Sequence, residues 1–254
     1  MDATVAARPR GMSAGLASAP QNPELEFAGG GRVRLAECNG SRLGHAAPVR
    51  SFRWSRGQGH FPGWWWLATT GRHVGYESWL ERDHLMLLDF DPAVTAVASQ
   101  PFWLHWHDGR RSRRHAPDFF ARLADGTGMV IDVRADDRIE PRDAEAFEVT
   151  ARACEAAGWE FRRAGTVAPV LAANVRWLSR YRHSRCAGRP GVAGTLRRTF
   201  ETPTPLLAGA AEAGDPLAVL PVLSHLLWTQ EITADLVSGP LGPSTSVQVP
   251  AAAQ

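Results

Sequence analysis

Ala116-Pro117-Asp118-Phe119-Phe120-Ala121-Arg122-Leu123-Ala124-Asp125-Gly126-Thr127-Gly128-Met129-Val130-Ile131-Asp132-Val133-Arg134 reads as two strands around a tight turn. Asp125-Gly126 is a hairpin signal, and the runs on either side are aromatic or β-branched. Pro117 brings the chain into Asp118 in extended backbone. An acid therefore opens the first strand and another nearly closes the second. Antiparallel pairing sets the two carboxylates within a few ångströms of each other.

Working outward, residues 76–90 place Tyr76, Leu80, Leu87 and Leu88 at helical spacing, with Gly71 and Gly75 ahead of them and Asp91-Pro92 as a stop. Val94, Val97 and Phe102 lead towards a strand at Trp103–His107, and Asp108-Gly109 turns the chain into the arginine-rich stretch 110–115. Downstream, Pro141–Ala157 is predicted as a helix: proline sits where its missing N–H is harmless, acids fill the first turn, and Gly158 ends it. Trp159-Glu160-Phe161 starts another strand. The order is compatible with an α/β fold with a restriction-endonuclease-like core, α-β-β-β-α-β, its mixed sheet flanked by helices. Leu217, Leu220, Leu223, Leu226 and Leu227 add a small helical C-terminal region.

Four segments are expected. Residues 1–48 read as a flexible leader, because their Ala, Gly, Pro and Ser carry no periodicity and bury too little to offset ordering. Residues 49–165 hold the α/β domain, where Trp64-Trp65-Trp66 is expected to pack as a buried strand. Residues 166–237 form an arginine-rich connector and the helical region, and 238–254 a disordered tail.

All 28 basic residues are arginine, yet the formal net charge is only +2. Between Phe161 and Phe200 there are nine arginines and no acid, so that stretch either follows a phosphate backbone or is a solvated linker. Cys38, Cys154 and Cys186 are too few and too scattered for a disulfide framework or a zinc site, which fits a reducing cytoplasm. No apolar run reaches the length of a membrane span.

Phosphodiester hydrolysis near neutral pH requires acids that converge on a metal, and hard carboxylates without a His/Cys cluster favour Mg²⁺ or Mn²⁺. Asp118, Asp132 and one helix acid supply such a set, Glu81 first and Glu77 in reserve. Arg134 lies two residues past Asp132, on the same strand face. Arginine keeps its proton at any usable pH, so its expected part is to hold a phosphate oxygen. Arg110, Arg111, Arg113, Arg114 and His115 flank the site as candidate DNA-backbone contacts.

Residues 76–161 resemble the TnsA-like endonuclease subunits of heteromeric transposases. The likeness lies in Tyr76-Glu77-Ser78-Trp79-Leu80-Glu81-Arg82-Asp83, Leu88-Asp89-Phe90-Asp91-Pro92, Ser99-Gln100-Pro101-Phe102, His115-Ala116-Pro117-Asp118-Phe119-Phe120 and Ile131-Asp132-Val133-Arg134. The resemblance implies that Glu81, Asp118 and Asp132 bind catalytic Mg²⁺, with the Val133 carbonyl adding to the set. Arg134 stands where the family has lysine. It also implies hydrolysis of the non-transferred strand at the 5′ ends of a transposon, with an integrase-like transposase and an ATPase regulator as partners. Two alternatives remain at this point: a stand-alone restriction or repair nuclease, and a non-catalytic DNA-binding assembly subunit.

Overall fold

The computed structural model describes residues 23–38, 40–52 and 61–251. The elements are β1 (Glu24–Glu26), β2 (Arg32–Arg34), β3 (Gly63–Trp66), β4 (His73–Tyr76), α1 (Trp79–Phe90), β5 (Val94–Ser99), β6 (Trp103–His107), β7 (Ser112–His115), β8 (Phe119–Leu123), β9 (Gly128–Val133), α2 (Pro141–Ala157) and β10 (Glu160–Ala164). After these come α3 (Pro169–Leu178), α4 (Pro190–Thr199), β11 (Thr204–Pro205), α5 (Leu206–Ala213), α6 (Pro216–Trp228), β12 (Thr233–Ala234) and β13 (Ser246–Gln248). The result is a mixed α/β architecture that fits an α/β nuclease.

The central sheet runs β10-β9-β8-β5. β8 pairs antiparallel with β9 and β5, and β10 lies parallel to β9 after the crossover through α2. Both faces of β9 are buried, as a central strand requires. Alternation sends Met129, Ile131 and Val133 into a core shared with Leu85 and Leu88 of α1. Val130 goes to the opposite core, with Ala146, Val149 and Ala153 of α2.

α1 is shorter than the predicted 76–90, because Tyr76 pairs with Gly63 in the β3–β4 hairpin and the helix waits for Ser78 as its cap. The three tryptophans of β3 are not a buried strand: Trp64 is 58% exposed, and Trp65 and Trp66 are half-buried. α2 has the predicted bounds, and Gly158 caps it with φ +70°. No atom would touch an added Cβ there, so Gly158→Ala imposes only the left-handed backbone penalty, about 1–2 kcal/mol, to be read from thermal melts.

Two expected unstructured segments are ordered over part of their length. Of the leader, residues 1–22 lie outside the described residues. Glu24–Glu26 is a strand between β2 and β6 in a second sheet, β2-β1-β6-β7, with Leu25 fully buried. In place of a disordered tail, Ser246–Gln248 is the middle strand of a β11-β13-β12 sheet. Local composition cannot show the long-range half of either pairing, Leu25 with Leu104 and Val247 with Thr204, since those partners lie far along the chain.

The arginine-rich connector is neither a loose linker nor a free basic track. It folds into α3 and α4, and several of its cations are engaged. Arg176 makes two hydrogen bonds to buried Asp83 of α1. Arg182 lies 4.0 Å from the Trp65 ring centroid, Arg180 stacks over Trp177, and Arg197 pairs with Glu231. The C-terminal body then runs helix, strand, two helices and two strands around its own core of Leu196, Phe200, Leu223 and Leu226. No arginine or lysine follows Arg198, whereas five acids do. No single helix among the described residues is long and apolar enough to cross a membrane; α5 and α6 reach that length together but bend by 120°.

Candidate active site

Asp118 sits at the mouth of β8. Its Oδ2 accepts from the Val133 N–H on the neighbouring strand at 2.7 Å, so the hairpin locks the carboxylate against the end of β9. Burial raises its pKa well above the usual carboxylate range, and the negative charges of Glu81 and then Asp132 push it further; the Val133 N–H and Arg50 oppose. The acids predicted from sequence therefore share one electrostatic neighbourhood.

Glu81 is held at the start of α1 by three hydrogen bonds, two of them with the Ser78 cap. The Glu81 N–H donates to Ser78 Oγ at 3.1 Å, Ser78 Oγ donates back to Oε1 at 2.9 Å, and the Glu77 N–H donates to Oε2 at 2.7 Å. Burial raises its pKa and these hydrogen bonds oppose the rise. Glu77, the reserve acid, is turned to Arg50, whose Nη2 lies 2.6 Å from Glu77 Oε2.

Asp132 is 1% exposed. His115 Nε2 donates to its Oδ1 at 2.8 Å, while Oδ2 is buried with no hydrogen-bond partner. On the same side lies Cys154, whose thiol is pushed up to about 12 by burial and by Asp132, so it is inert as a nucleophile. Among the described residues no group of three or more His, Cys, Asp or Glu side chains is arranged to hold a metal ion. Still, a buried carboxylate oxygen without a donor, beside two acids raised by their surroundings, is a donor set suited to a hard divalent cation.

Arg134 shares the strand face of Asp132 but not its surroundings. Its Nε lies 3.5 Å from Asp143 Oδ2 at the start of α2, and the side chain is 45% exposed. Of the candidate DNA contacts, Arg113 donates to Asp108 at 2.6 Å, Arg114 lies over the Trp103 ring at 4.2 Å, and His115 serves Asp132. Arg110 and Arg111 are exposed at the hairpin tip.

Sequence reasoning missed Arg50, which exerts its charge on both Glu81 and Asp118. It also missed Gln100, whose N–H donates to the Asp118 carbonyl at 2.9 Å. Gln100 stood in a stretch that carried the family resemblance, but its place before proline favours extended backbone, and the observed φ is +44°.

The raised carboxyls make the metal-free protein pH-sensitive. An acid whose pKa is raised by folding stabilises the fold fully below its unfolded value, near pH 4, and loses that contribution as pH climbs through the folded value. Melting temperature in chelator is therefore expected to fall as pH rises from 4 towards neutrality. Asp118→Asn should melt above wild type at pH 7 and flatten the profile. A variant that melts lower at every pH would contradict the crowding described here.

No curated protein matches the chain. Residues 91–164 match the family model described as TnsA-like endonuclease N terminal, a stretch that includes Asp118, Asp132 and Arg134 and leaves Arg50 and Glu81 ahead of it. With acids placed at the ends of paired strands within that stretch, residues 91–164 are similar to the N-terminal domain of TnsA-like endonucleases.

Proposed function

We propose that the protein is the endonuclease subunit of a heteromeric transposase, hydrolysing the non-transferred strand at the 5′ ends of a transposon. The observation that carries this reading is the raised Asp118 carboxyl between Glu81 and Asp132, inside and beside the matched stretch. The order α1, β5, β8, β9, α2, β10 supports a restriction-endonuclease-like core, with β6 and β7 inserted as a hairpin.

Glu81, Asp118 and Asp132 would hold Mg²⁺ or Mn²⁺, Asp132 through its unpartnered Oδ2, with the Val133 carbonyl beside them. When bound, the ion supplies an acidified water and neutralises charge growing on the phosphate. The protein's own groups do the positioning. His115 fixes the rotamer of Asp132, and the Val133 N–H fixes that of Asp118. Arg110 and Arg111, at the exposed tip, take DNA phosphates. The integrase-like transposase and ATPase regulator complete the assembly, and the unpaired Cys38, Cys154 and Cys186 fit a cytoplasmic setting.

The test is cleavage of DNA carrying transposon ends with Mg²⁺, by wild type and Asp118→Ala, with and without the neighbouring transposase. Partner-dependent 5′-end cutting that the variant loses supports the proposal. Cutting by the isolated wild type supports the stand-alone nuclease. DNA binding without cutting in any mixture supports the assembly subunit.

A further inference from the structure

Resting on the endonuclease reading, we infer that Arg50, and not Arg134, is the cation that meets the scissile phosphate, and that Gln100 is the residue positioning it. Arg134 is drawn to Asp143 on α2. Arg50 lies on the other flank, joined to the acids by a short chain: its Nη2 is 2.6 Å from Glu77 Oε2, and the Glu77 N–H donates to Glu81 Oε2 at 2.7 Å. Its side chain keeps 41% exposure, so the guanidinium can take a second anion. The planar fork suits two non-bridging phosphate oxygens and stays charged throughout turnover. The charge of Arg50 opposes the rise of both Asp118 and Glu81, which places it within reach of the same centre.

Besides the pair with Glu77, a backbone clip holds the segment that carries Arg50. The Val49 N–H donates to the Gln100 carbonyl at 2.9 Å, and the Gln100 N–H donates to the Asp118 carbonyl at 2.9 Å. Gln100 thus bonds on one side to the residue before Arg50 and on the other to the residue bearing the central carboxylate. It does so under strain. Its φ of +44° is a conformation that residues with a Cβ rarely adopt, its side chain is fully buried, and neither amide atom has a protein partner. A residue that is both strained and unpartnered loses stability, and such residues persist where geometry serves function. Straightening Gln100 would release Val49 and with it the approach of Arg50.

The experiment uses the full chain with its transposase partner and Mg²⁺, and in parallel measures metal-free binding of a labelled DNA duplex against salt. Arg50→Ala should lower kcat on the order of 100-fold with KM moved less than about 3-fold, and Arg50→Lys should recover about 10-fold of the loss. Arg134→Ala should lose at least about 10-fold less than Arg50→Ala. In metal-free binding, Arg50→Ala should make the slope of log affinity against log salt shallower by about one, as for one lost phosphate contact. Because both Gln100 bonds are backbone bonds, Gln100→Pro, which removes the donor and cannot take positive φ, should resemble Arg50→Ala, the double variant should be no worse than either single one, and Gln100→Gly, which tolerates positive φ, should keep more activity than Gln100→Pro. A larger loss from Arg134→Ala than from Arg50→Ala, or additive losses at positions 50 and 100, overturns the inference. If wild type cuts in no mixture, the endonuclease reading fails by itself, and an unchanged salt slope in Arg50→Ala then overturns the assignment of Arg50 as a phosphate contact.

Discussion

Asp118→Ala is expected to reduce strand cleavage by on the order of 1,000-fold, about 4 kcal/mol of barrier, while leaving the protein folded. The two halves of that result have separate causes. Cleavage falls because Asp118 is the carboxyl on which the charges of Glu81 and Asp132 both act, so its removal takes an acid out of that shared neighbourhood. The fold survives because the contacts that place residue 118 belong to the backbone: the Gln100 N–H still finds the residue 118 carbonyl, and Pro117 and Phe119 remain buried. The Val133 N–H loses its acceptor, but a crowded negative charge goes with it. Asp132→Ala is a poorer probe, since it strips His115 of its partner and opens a hole at a 1% exposed site. Cleavage by Asp118→Ala within tenfold of wild type would remove Asp118 from the chemistry.

A second large effect belongs to an acid that does no chemistry. Asp89→Ala should cost about 3–5 kcal/mol and lower the melting temperature by on the order of 10 °C, with activity per folded molecule preserved. Asp89 is 5% exposed near the end of α1. Its carboxylate accepts from the backbone N–H groups of Ala68 and Thr69 at 3.1 and 3.0 Å, from Thr69 Oγ1 at 2.9 Å and from Trp65 Nε1 at 3.4 Å. Alanine leaves the Ala68, Thr69 and Trp65 N–H donors short of an acceptor next to the apolar core, the Thr69 hydroxyl keeping only the residue 89 carbonyl at 3.4 Å, whereas asparagine keeps one oxygen and should lose less. Equal melting of Asp89→Ala and wild type would show that the β3–β4 hairpin is anchored elsewhere.

Asp89 and Asp118 show what could and could not be read before the coordinates. Both stand in motifs that carried the family resemblance, and nothing in sequence separates a carboxylate that clasps a hairpin from one that faces a phosphate. Where the determinants are local, the reading was close: Pro141 and Gly158 bracket α2, and Asp125-Gly126 joins β8 to β9. Strand parity put Arg134 on the face of Asp132, but Asp143 then claims its guanidinium, a contact made across the fold. Arg50 was invisible because it reaches the acids from a segment with no pattern of its own, through its pair with Glu77 and the bond of the neighbouring Val49 N–H to the Gln100 carbonyl. The strands of the C-terminal sheet are two or three residues long, too short for alternation to register.

The last arginine of the chain, Arg198, also marks a polarity of the whole molecule. Every other arginine lies before it, and of the formally charged side chains only acids follow. Approaching a polyanion, such a molecule experiences a torque as well as an attraction: the α/β domain is drawn in and the C-terminal body is turned outward before any specific contact forms. Encounters at low ionic strength are thereby sorted by orientation, and added salt should erase this bias along with the affinity.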